Sequence, residues 1–327
     1  MNFEDFKNIY QKKEPTLHNL STINEPLLTV AIQTYNHENC IRDCIEGICN
    51  QECTFPFDIL IMEDSSSDRT QEICIELADK YKERITLFLN HRVNNISINS
   101  NPTGRFSFLY NIYFAKGKYI AICDGDDYWV DSHKLQNQIN FLEDNPEYSG
   151  CFTDFMTVSS EGIIISESTF NELESEIDHL SILKRQTPKT LTTVYRAKHV
   201  QGNLPDLFTK CLNADLVLSA YVSKHGPYKY MNRVTGAYRV HDGGIWSLIS
   251  QKKRYQSQID TSLRMMDYFT NRDEIDALRH RLKMANQALE KLYRKEKKYS
   301  KILWCKWIKY YSMLKYRPSD IIKKLIT

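Results

Sequence analysis

The sequence has no long hydrophobic run. Its apolar stretches stay well short of the roughly 20 consecutive residues that a membrane-spanning helix needs. The first residues, MNFEDFKNIYQKKEPT, are polar and mixed in charge, which is not the pattern of a secretory signal. We therefore expect a protein that faces the cytoplasm.

Glycine-rich nucleotide-binding loops are also missing. The chain has 11 glycines and 9 prolines among 327 residues, and neither GxxxxGK[ST] nor GxGxxG occurs in it. These absences exclude the standard mononucleotide and dinucleotide loops, and they exclude a collagen-like or low-complexity chain. A bound nucleotide would have to be held in another way.

No two of the nine cysteines form a CxxC pair, and their odd number favours a reducing compartment. Four of them, Cys40, Cys44, Cys49 and Cys53, form a cluster. Helical spacing would place Cys40 and Cys44 on one face of a helix, so a metal site is conceivable. Because the cluster lacks the paired short spacings of zinc and iron–sulfur sites, we favour buried free thiols.

Positive charge is scarce in the body of the chain and concentrated near its end. The formal net charge is +2, yet Lys291 to Thr327 contains twelve Lys or Arg and two acids, a net of +10. The other 290 residues therefore carry −8. The basic segment suggests an anionic surface as its partner, whereas no nucleic-acid-binding module is recognisable and nucleic acid is not expected to bind.

This basic segment includes KILWCKWIKYYSMLKYRP, whose apolar residues recur at helical spacing. Two interpretations stay open. In one, a surface helix places Trp304, Trp307 and Ile308 at the headgroup level of a membrane, while its lysines meet anionic lipid. In the other, the aromatic face packs on the domain or on a second copy. The lysines concerned are Lys301, Lys306 and Lys309.

Short apolar runs alternate with segments of helical periodicity through the first half of the chain. The runs predict strands at about 27–32, 57–62, 85–89, 119–123 and 149–158. The intervening segments predict helices at about 38–50, 69–81, 102–116 and 132–143. Such alternation implies right-handed crossovers and a mostly parallel sheet that is covered on both faces. Residues 250–298 are polar with helical spacing.

Polar clusters follow three of these strands. They are Thr34-Tyr35-Asn36, Glu63-Asp64 and Asp124-Gly125-Asp126-Asp127. In an open parallel sheet, ligands bind beyond the carboxyl ends of the strands, so the three clusters should converge at one edge.

The last of these clusters, Asp124-Gly125-Asp126-Asp127, is too short for an EF-hand, and its acids are too close together for glycoside hydrolysis. Taken alone it could be a solvated acidic turn. With its neighbours it suits a Mg²⁺ or Mn²⁺ ion whose shell is completed by substrate phosphates.

Three stretches resemble the opening domain of the family-2 inverting glycosyltransferases with the A-type fold. They are TVAIQTYNHENCI, FDILIMEDSSSDRT and GKYIAICDGDDYWVDSHKLQNQINFL. The resemblance covers about residues 26–156, is looser over 187–246 and does not include the C-terminal helices. It implies an α/β fold: a single A-type glycosyltransferase domain with a mostly parallel central sheet, helices on both faces and a C-terminal helical extension.

The domain organisation expected from this resemblance has four parts. Residues 1–25 form an N-terminal extension, 26–156 the nucleotide-sugar-binding half, 157–249 the acceptor-binding and catalytic half, and 250–327 a basic helical extension.

The resemblance also implies roles for residues at the strand ends. Thr34, Tyr35 and Glu38 would line the nucleotide, and Asp64 would accept the imide N–H of uracil. Within the DGDD turn, Asp124 would contact the ribose or support the metal, and Asp126 would bind the Mn²⁺ or Mg²⁺ directly. Asp127 would hold the turn, with capping of the next helix as one way to do so.

Residues of the second half are implied to complete the chemistry. An inverting displacement needs a base for the acceptor hydroxyl, and Asp215 in CLNADLVLSAYVSKHG is the position that matches. Ala214 stands where relatives often have an acid, so a helix N-cap is the alternative role for Asp215, and Asp206 is the reserve candidate for the base.

A second motif of this half, GAYRVHDGGIWS, resembles one found in bacterial members of the family. It implies that His241 completes the metal shell or contacts the diphosphate, and that Arg239 helps to neutralise the diphosphate. Gly243 and Gly244 would allow a loop to close over the donor, and Trp246 would cover the sugar.

The function expected is inverting, metal-dependent transfer of a sugar from a nucleotide diphosphate, most simply a UDP-sugar. The acceptor would be a hydroxyl of a bacterial surface glycan or of a lipid-linked glycan, with the enzyme at the inner face of the cell membrane. A nucleotidyltransferase is an alternative, but it needs a basic triphosphate loop, and the first turn has no Lys or Arg before Arg42. A non-catalytic sugar-nucleotide or membrane-binding protein is the third possibility.

Overall fold

The structure is a computed structural model that describes residues 1–98, 101–170, 173–185, 188–241 and 249–316. The α-helices of this part of the chain are α1 Phe3–Tyr10, α2 Ile41–Cys49, α3 Thr70–Lys80, α4 Arg105–Phe114, α5 Lys134–Asp144, α6 His179–Lys184, α7 Leu207–Lys210, α8 Ala214–Val222, α9 Gln251–Tyr268, α10 Arg272–Lys295 and α11 Tyr299–Tyr316. The strands are β1 Thr16–Asn19, β2 Leu28–Thr34, β3 Phe57–Glu63, β4 Ile85–Leu89, β5 Ile96–Ile98, β6 Asn101–Thr103, β7 Tyr119–Ile122, β8 Tyr128–Trp129, β9 Gly150–Ser159, β10 Ile164–Ser166, β11 Glu176–Ile177, β12 Thr193–Arg196 and β13 Tyr228–Val240.

One large sheet organises the molecule. Its strand order is β1-β4-β3-β2-β7-β12-β9-β13-β11, with β10 added to β9 and β8 added to β13. The strands β4, β3, β2 and β7 are parallel neighbours, as are β9 and β13, while β1, β12 and β11 pair antiparallel. The predicted fold class is confirmed: an α/β sheet with helices on both faces and a helical C-terminal region.

The central strands are apolar throughout because both of their faces are buried. Val30 and Ile32 of β2 pack into the core on the side of α2 and α3, whereas Ala31 between them faces the core on the side of α4. The predicted strands and helices of this half lie within a few residues of the observed ones. The strand-end turns of β2, β3 and β7 therefore do lie at one edge of the sheet.

The first 25 residues contribute to the main sheet, and a strand of the same sheet runs through the expected boundary near residue 156. The N-terminal segment contributes α1 and the edge strand β1, and Phe6 of α1 stacks on Phe106 of α4 with ring centroids 5.2 Å apart. β9 crosses residue 156 and pairs in parallel with β13. The two halves expected from the sequence, 26–156 and 157–249, thus share one continuous sheet among their described residues.

The C-terminal helices pack on the domain. α10 contacts α9, α11 and α6, and its first turn is closed by a capping box between Asn271 and Glu274. Met265, Leu278 and Leu289 are buried in the same core as α4 and α8. Among the helices that the structure describes, none combines the length and apolar character that crossing a membrane requires.

All nine cysteines are free thiols, eight of them buried and Cys53 half-buried. Cys44 Sγ lies 3.8 Å from Cys123 Sγ in the core, and burial raises the pKa of the Cys49 thiol to about 12. No cysteine joins a possible metal-binding group within the described ranges. The expectation of buried free thiols is confirmed for Cys40, Cys44 and Cys49.

Candidate active site

The DGDD turn after β7 lies directly on the turn after β2. Gly125 donates its N–H to the carbonyl of Gln33 at 3.1 Å. A Cβ atom at Gly125 would come within 2.6 Å of Thr34 Oγ1 and 2.9 Å of His37 Nδ1, so only glycine allows this approach. The Thr34 hydroxyl is itself hydrogen-bonded to His37 Nδ1 at 3.1 Å. Thr34 is buried, and its side chain orients His37.

His37, Asp126 and His241 form a compact group of possible metal ligands, with one ligand atom from each lying within 4.8 Å of the others. His241 Nε2 is 3.0 Å from Asp126 Oδ2, and His37 Nε2 is 4.0 Å from the same oxygen. The two imidazole rings are 6.0 Å apart and nearly perpendicular. Two imidazole nitrogens and a carboxylate oxygen are a ligand set that suits Mn²⁺ better than Mg²⁺, which prefers oxygen.

The protonation states in this group fit metal binding. Burial raises the pKa of the Asp126 carboxyl, but the hydrogen bond to His241 and the charges of His37 and His241 outweigh it, so the pKa is below its ordinary value. Burial lowers the pKa of His37, which favours the neutral ring. An ionised carboxylate and a neutral imidazole are the forms that bind a cation.

The two flanking acids of the turn have different surroundings. Asp124 accepts a hydrogen bond from the Gln33 side chain, and its pKa is raised to about 7, chiefly by burial and then by Asp126. Asp127 is buried and accepts the backbone N–H of Arg239 at 2.9 Å. Asp127 therefore anchors β13 to the turn and does not cap α5.

Arg239 lies in β13 and not in a loop over the donor. Its guanidinium is buried and donates to the carbonyl oxygens of Asp126 and Ser160 and to the Asp43 carboxylate, at 2.9–3.1 Å. Its predicted part in neutralising the diphosphate stays a prediction, while these contacts give it a structural role. Arg239 holds the DGDD turn against the β9–β10 hairpin and α2.

A second group of side chains surrounds Asp64 at the end of β3. Asn90 Nδ2 donates to Asp64 Oδ1 at 2.7 Å, and Arg92 binds Oδ2. Burial raises the pKa of Asp64, while Arg92 and Asn90 oppose the rise. The Arg92 guanidinium lies 3.8 Å from the centroid of the partly exposed Tyr35 ring. The sequence singles out Asp64 and Tyr35, and the structure brings them together through Arg92.

Glu38, predicted to line the nucleotide, has partners at the start of α3. Its carboxylate accepts the N–H of Arg69 at 3.0 Å, and its own N–H donates to Asp68 at 3.1 Å. Asp68 also accepts the N–H of Thr70 at the start of α3. Glu38 thus fastens the turn after β2 to the start of α3, and its role at the nucleotide stays a prediction.

Asp215 borders a cavity of about 480 Å³ between β9 and helices α8, α9 and α10. The N-cap of α8 is Asn213, so Asp215 is the second residue of the helix and not its cap. The charge of Asp215 contributes to the raised pKa of Asp124, which shows that the cavity lies within electrostatic reach of the DGDD turn. The reserve candidate Asp206 is exposed, pairs with Lys210 and does not line this cavity.

Several residues of the site are not evident from the sequence. His37 lies within the TYNHE turn, but the sequence does not show that it faces Asp126. Its contacts with Gly125 and Thr34 show this. Arg92 follows β4 in the polar stretch Asn90-His91-Arg92, which carries no motif that singles out one of its residues. Trp246, Gly243 and Gly244, predicted to close over the donor, lie outside the described residues.

The sequence matches a known family over part of its length. Residues 29–160 match the profile of the family described as "Glycosyl transferase family 2". An uncharacterized protein of Mycobacterium tuberculosis is 29% identical over 219 residues, which is 67% of this chain and 60% of that protein. The Escherichia coli enzyme WfaP, a UDP-Glc:alpha-D-GlcNAc-diphosphoundecaprenol beta-1,3-glucosyltransferase, is 33% identical over 118 residues, or 36% of this chain and 41% of the enzyme.

Solved structures of low sequence identity share the fold. S. aureus TarS 1-349 in complex with UDP-GlcNAc superposes with a TM-score of 0.51 at 16% identity, covering 81% of this chain and 70% of that structure. The mannosyltransferase PcManGT from Pyrobaculum calidifontis, in complex with GDP-Man and Mn2+, superposes with a TM-score of 0.55 at 14% identity, covering 88% and 80%.

Proposed function

From a chain that carries a glycosyl transferase family 2 domain with the A-type fold, we propose an inverting, metal-dependent glycosyltransferase. It moves a sugar from a nucleoside diphosphate, with UDP-sugars as the preferred class, to a hydroxyl group of a glycan or a lipid-linked glycan. The observation that carries the proposal is the group of His37, Asp126 and His241, set where three strand-end turns meet.

The donor side of this reaction needs charge neutralisation. The residues present fit a divalent cation, Mn²⁺ in preference to Mg²⁺, held by Asp126 and His241 with His37 as a further ligand. When bound, such an ion offsets the negative charge that develops on the departing diphosphate. The protein's own part is to fix these ligands, and Thr34 and Gly125 do so by setting the orientation of His37.

Base recognition is assigned to the Asp64 group. A carboxylate oxygen can accept more than one hydrogen bond, so Asp64 can accept the imide N–H of uracil while it holds Asn90 and Arg92. Arg92 stacks on Tyr35 and fixes the ring that borders the base. The preference for UDP also has support from relatives, because the names of WfaP and of the TarS complex contain UDP-glucose and UDP-GlcNAc.

The acceptor side of the reaction is assigned to the cavity that Asp215 borders. Asp215 would accept the proton of the acceptor hydroxyl as that oxygen attacks the anomeric carbon from the face opposite the diphosphate. WfaP acts on a lipid diphosphate-linked sugar by its name, which supports a lipid-linked or surface-glycan acceptor for this chain.

A donor-hydrolysis screen tests this function. UDP-, GDP- and dTDP-sugars are incubated with the protein in the presence and absence of Mn²⁺, and release of nucleoside diphosphate is measured. We expect Mn²⁺-dependent release from at least one UDP-sugar and none from Asp126→Ala. Failure to release nucleoside diphosphate from any donor, together with unchanged nucleotide affinity in Asp126→Ala, would refute the proposal.

We also propose that α11 contacts an anionic membrane surface, which would hold the enzyme at the inner face of the cell membrane. α11 has two apolar faces. One face, formed by Ile302, Cys305 and Ile308, is buried against the protein. Ile308 is therefore not available to lipid, contrary to the expectation from the sequence. The opposite face spans an arc of about 140° at 100° per residue and is 39–72% exposed. Its residues are Tyr299, Leu303, Trp304, Trp307, Tyr310 and Leu314.

The charge of α11 complements an anionic surface. Lys301, Lys306 and Lys309 are exposed, and none of them forms an ion pair with the described residues. Each lysine near an anionic leaflet contributes about 1 kcal/mol to binding.

Vesicle sedimentation tests the membrane contact. We expect binding to vesicles with 30% phosphatidylglycerol and weak binding to pure phosphatidylcholine. Substitution of Leu303 and Trp307 together by Glu should reduce binding at least about tenfold, because it removes apolar contact and adds repulsion. Ile9→Glu changes an equally exposed residue of α1 and should have no effect. A concentration-dependent dimer that is lost in the double variant, with no vesicle binding, would assign this face to a second copy instead.

A further inference from the structure

The cavity beside Asp215 is strongly basic. Arg185, Lys189, Arg254 and Arg281 line it, and Asp215 is the single acidic residue among its described lining. Four cations and one carboxylate give a formal excess of three positive charges in a space of about 480 Å³. Such an excess is unusual for a pocket that recognises only neutral sugar hydroxyls, because like charges held together repel one another unless an anion lies between them.

The basic residues come from separate parts of the chain that the fold brings together. Arg185 follows α6 and Lys189 follows it by four residues, whereas Arg254 lies on α9 and Arg281 on α10. Half of the charge therefore comes from the C-terminal helices, which lie beyond residues 29–160 that match the family. The same helices close one side of the cavity.

Contacts that position these cations include backbone carbonyl groups and an aromatic ring. Arg281 donates to the carbonyl oxygens of Ile182 and Leu183 at 2.7–2.8 Å, and Arg254 donates to the carbonyl oxygen of Ile249 at 3.1 Å. Lys189 lies 5.2 Å from the centroid of the Tyr238 ring. No acidic side chain of the described residues forms an ion pair with Lys189 or Arg185. Burial lowers the pKa of Arg281 to about 10. A bound anion would raise this pKa again, because a nearby negative charge favours the charged guanidinium.

We propose that this cavity binds an acceptor that carries an anionic group, a phosphate or a carboxylate, close to the hydroxyl that is glycosylated. Arg254 and Lys189 recognise the anion, and Arg281 fixes the cavity wall through α6. Arginine and lysine on facing elements bind such groups through charge-assisted hydrogen bonds. The chemistry is shared by a sugar linked to a lipid diphosphate and by a glycan that contains uronic acid. This inference rests on the proposed function for the role of acceptor, but binding of the anion does not require turnover.

Binding of matched charged and neutral ligands tests the inference. Two pairs are compared by calorimetry in metal-depleted buffer without chelator and without nucleotide. The first is methyl glucuronide against methyl glucoside. The second is GlcNAc linked through diphosphate to a short prenyl chain against GlcNAc on a neutral alkyl chain of equal length. We expect at least one charged member to bind about tenfold more tightly than its neutral partner, with the difference shrinking from 50 to 500 mM salt.

Variants locate the binding. Arg254→Gln and Lys189→Gln should each weaken binding of the charged ligand about five- to tenfold and leave the neutral ligand unchanged. Lys253→Gln, next to Arg254 on the exposed side of α9, is the matched control and should have no effect. If only the diphosphate-linked GlcNAc binds more tightly than its neutral partner, the acceptor is of the lipid-linked class. If only methyl glucuronide does so, the acceptor is a glycan that contains uronic acid.

Two outcomes would overturn the inference: equal affinity for charged and neutral ligands, or a loss in Lys253→Gln as large as in Arg254→Gln. Because this assay contains neither donor nor metal, its result is independent of the donor-hydrolysis screen. Donor turnover without charge preference would reject only the anionic acceptor. Charge preference without donor turnover would reject only the proposed transferase activity.

Discussion

Two regions of opposite charge meet at the candidate site. At the strand ends, Asp124, Asp126 and Asp127 each have a partner from the protein, namely Gln33, His241 and the backbone of Arg239. Among the described residues that line the cavity beside α8, there are four cations and one carboxylate. The acidic region is suited to a cation that carries a diphosphate, and the basic region is suited to an anion on the acceptor.

The two regions also differ in where their residues come from. The acidic region is built mostly from turns within residues 29–160, the part of the chain that matches the family. The basic region is built mostly from residues beyond it, including α9 and α10. Under the proposed function, the acidic region would activate the donor and the basic region would bind the acceptor.

Asp126→Ala should have the largest effect, because it removes the oxygen ligand of the acidic region. We expect turnover to fall on the order of 10³-fold, as is seen when a group that stabilises developing charge is lost. Mn²⁺ should raise the melting temperature of the wild type by linkage but not that of the variant. The control is Asp144→Ala, which changes an exposed residue at the end of α5. Retention of both turnover and the Mn²⁺-dependent stabilisation would show that the acidic turn is not the metal site.

Asp215→Asn should separate the two regions. We expect transfer to fall on the order of 10²-fold because the acceptor hydroxyl loses its base. Donor binding and Mn²⁺ binding should be unchanged, since the acidic region is intact. Asp206→Asn is the matched control from α7 and should keep full activity. Equal losses in the two variants, or none in Asp215→Asn, would remove Asp215 from the mechanism.

The acidic region is largely predictable from the sequence because its structure is local. Continuous apolar runs identify β2, β3 and β7, and parallel pairing then forces the residues after them to one sheet edge. The roles predicted for Asp126 and Asp64 come from the family resemblance of the turns at this edge. The partners of these acids do not follow from it. Contact between Gly125 and His37, and the burial of Arg239 in β13, depend on how turns from distant segments are stacked.

The basic region could not be predicted in the same way. Arg185, Lys189, Arg254 and Arg281 have no common spacing, and each stands in a segment with other exposed cations. Only the packing of α9 and α10 against α6 and α8 selects these four. The basic segment at residues 291–316 is also only partly predictable. Its periodicity predicts a helix, but the sequence does not show which apolar face packs on the protein.

Lys134→Met tests whether a buried lysine in the half formed by residues 26–156 makes the stability of the protein depend on pH. Lys134 is 1% exposed in α5, donates to Gln138 at 2.7 Å and lies 4.1 Å from the Trp129 ring centroid. Burial lowers its pKa to about 8 from an ordinary value of 10.5. The unfolded state therefore binds more protons between these values, and the free energy of unfolding rises with pH through this window.

The rise attributable to Lys134 is on the order of 3 kcal/mol, at about 1.4 kcal/mol per pKa unit. Urea unfolding at pH 7.5 and at higher pH should show that Lys134→Met lacks this increment. Lys82→Met changes an exposed lysine of the same half and should follow the wild type. A pH dependence in Lys134→Met equal to that of the wild type would mean that this lysine is solvated in the native protein.

His37→Gln should have the smallest effect and gives the finest division within the acidic region. His241 touches Asp126 at 3.0 Å, whereas His37 is 4.0 Å away and is held by Thr34. If His37 is a further ligand, Mn²⁺ affinity measured by electron paramagnetic resonance should fall about tenfold in His37→Gln, and the preference for Mn²⁺ over Mg²⁺ should narrow because a nitrogen ligand is lost. His133→Gln, an exposed histidine after the same turn, should change neither quantity. Unchanged Mn²⁺ affinity in His37→Gln would leave Asp126 and His241 as the metal ligands and reduce His37 to a residue that packs beneath Gly125.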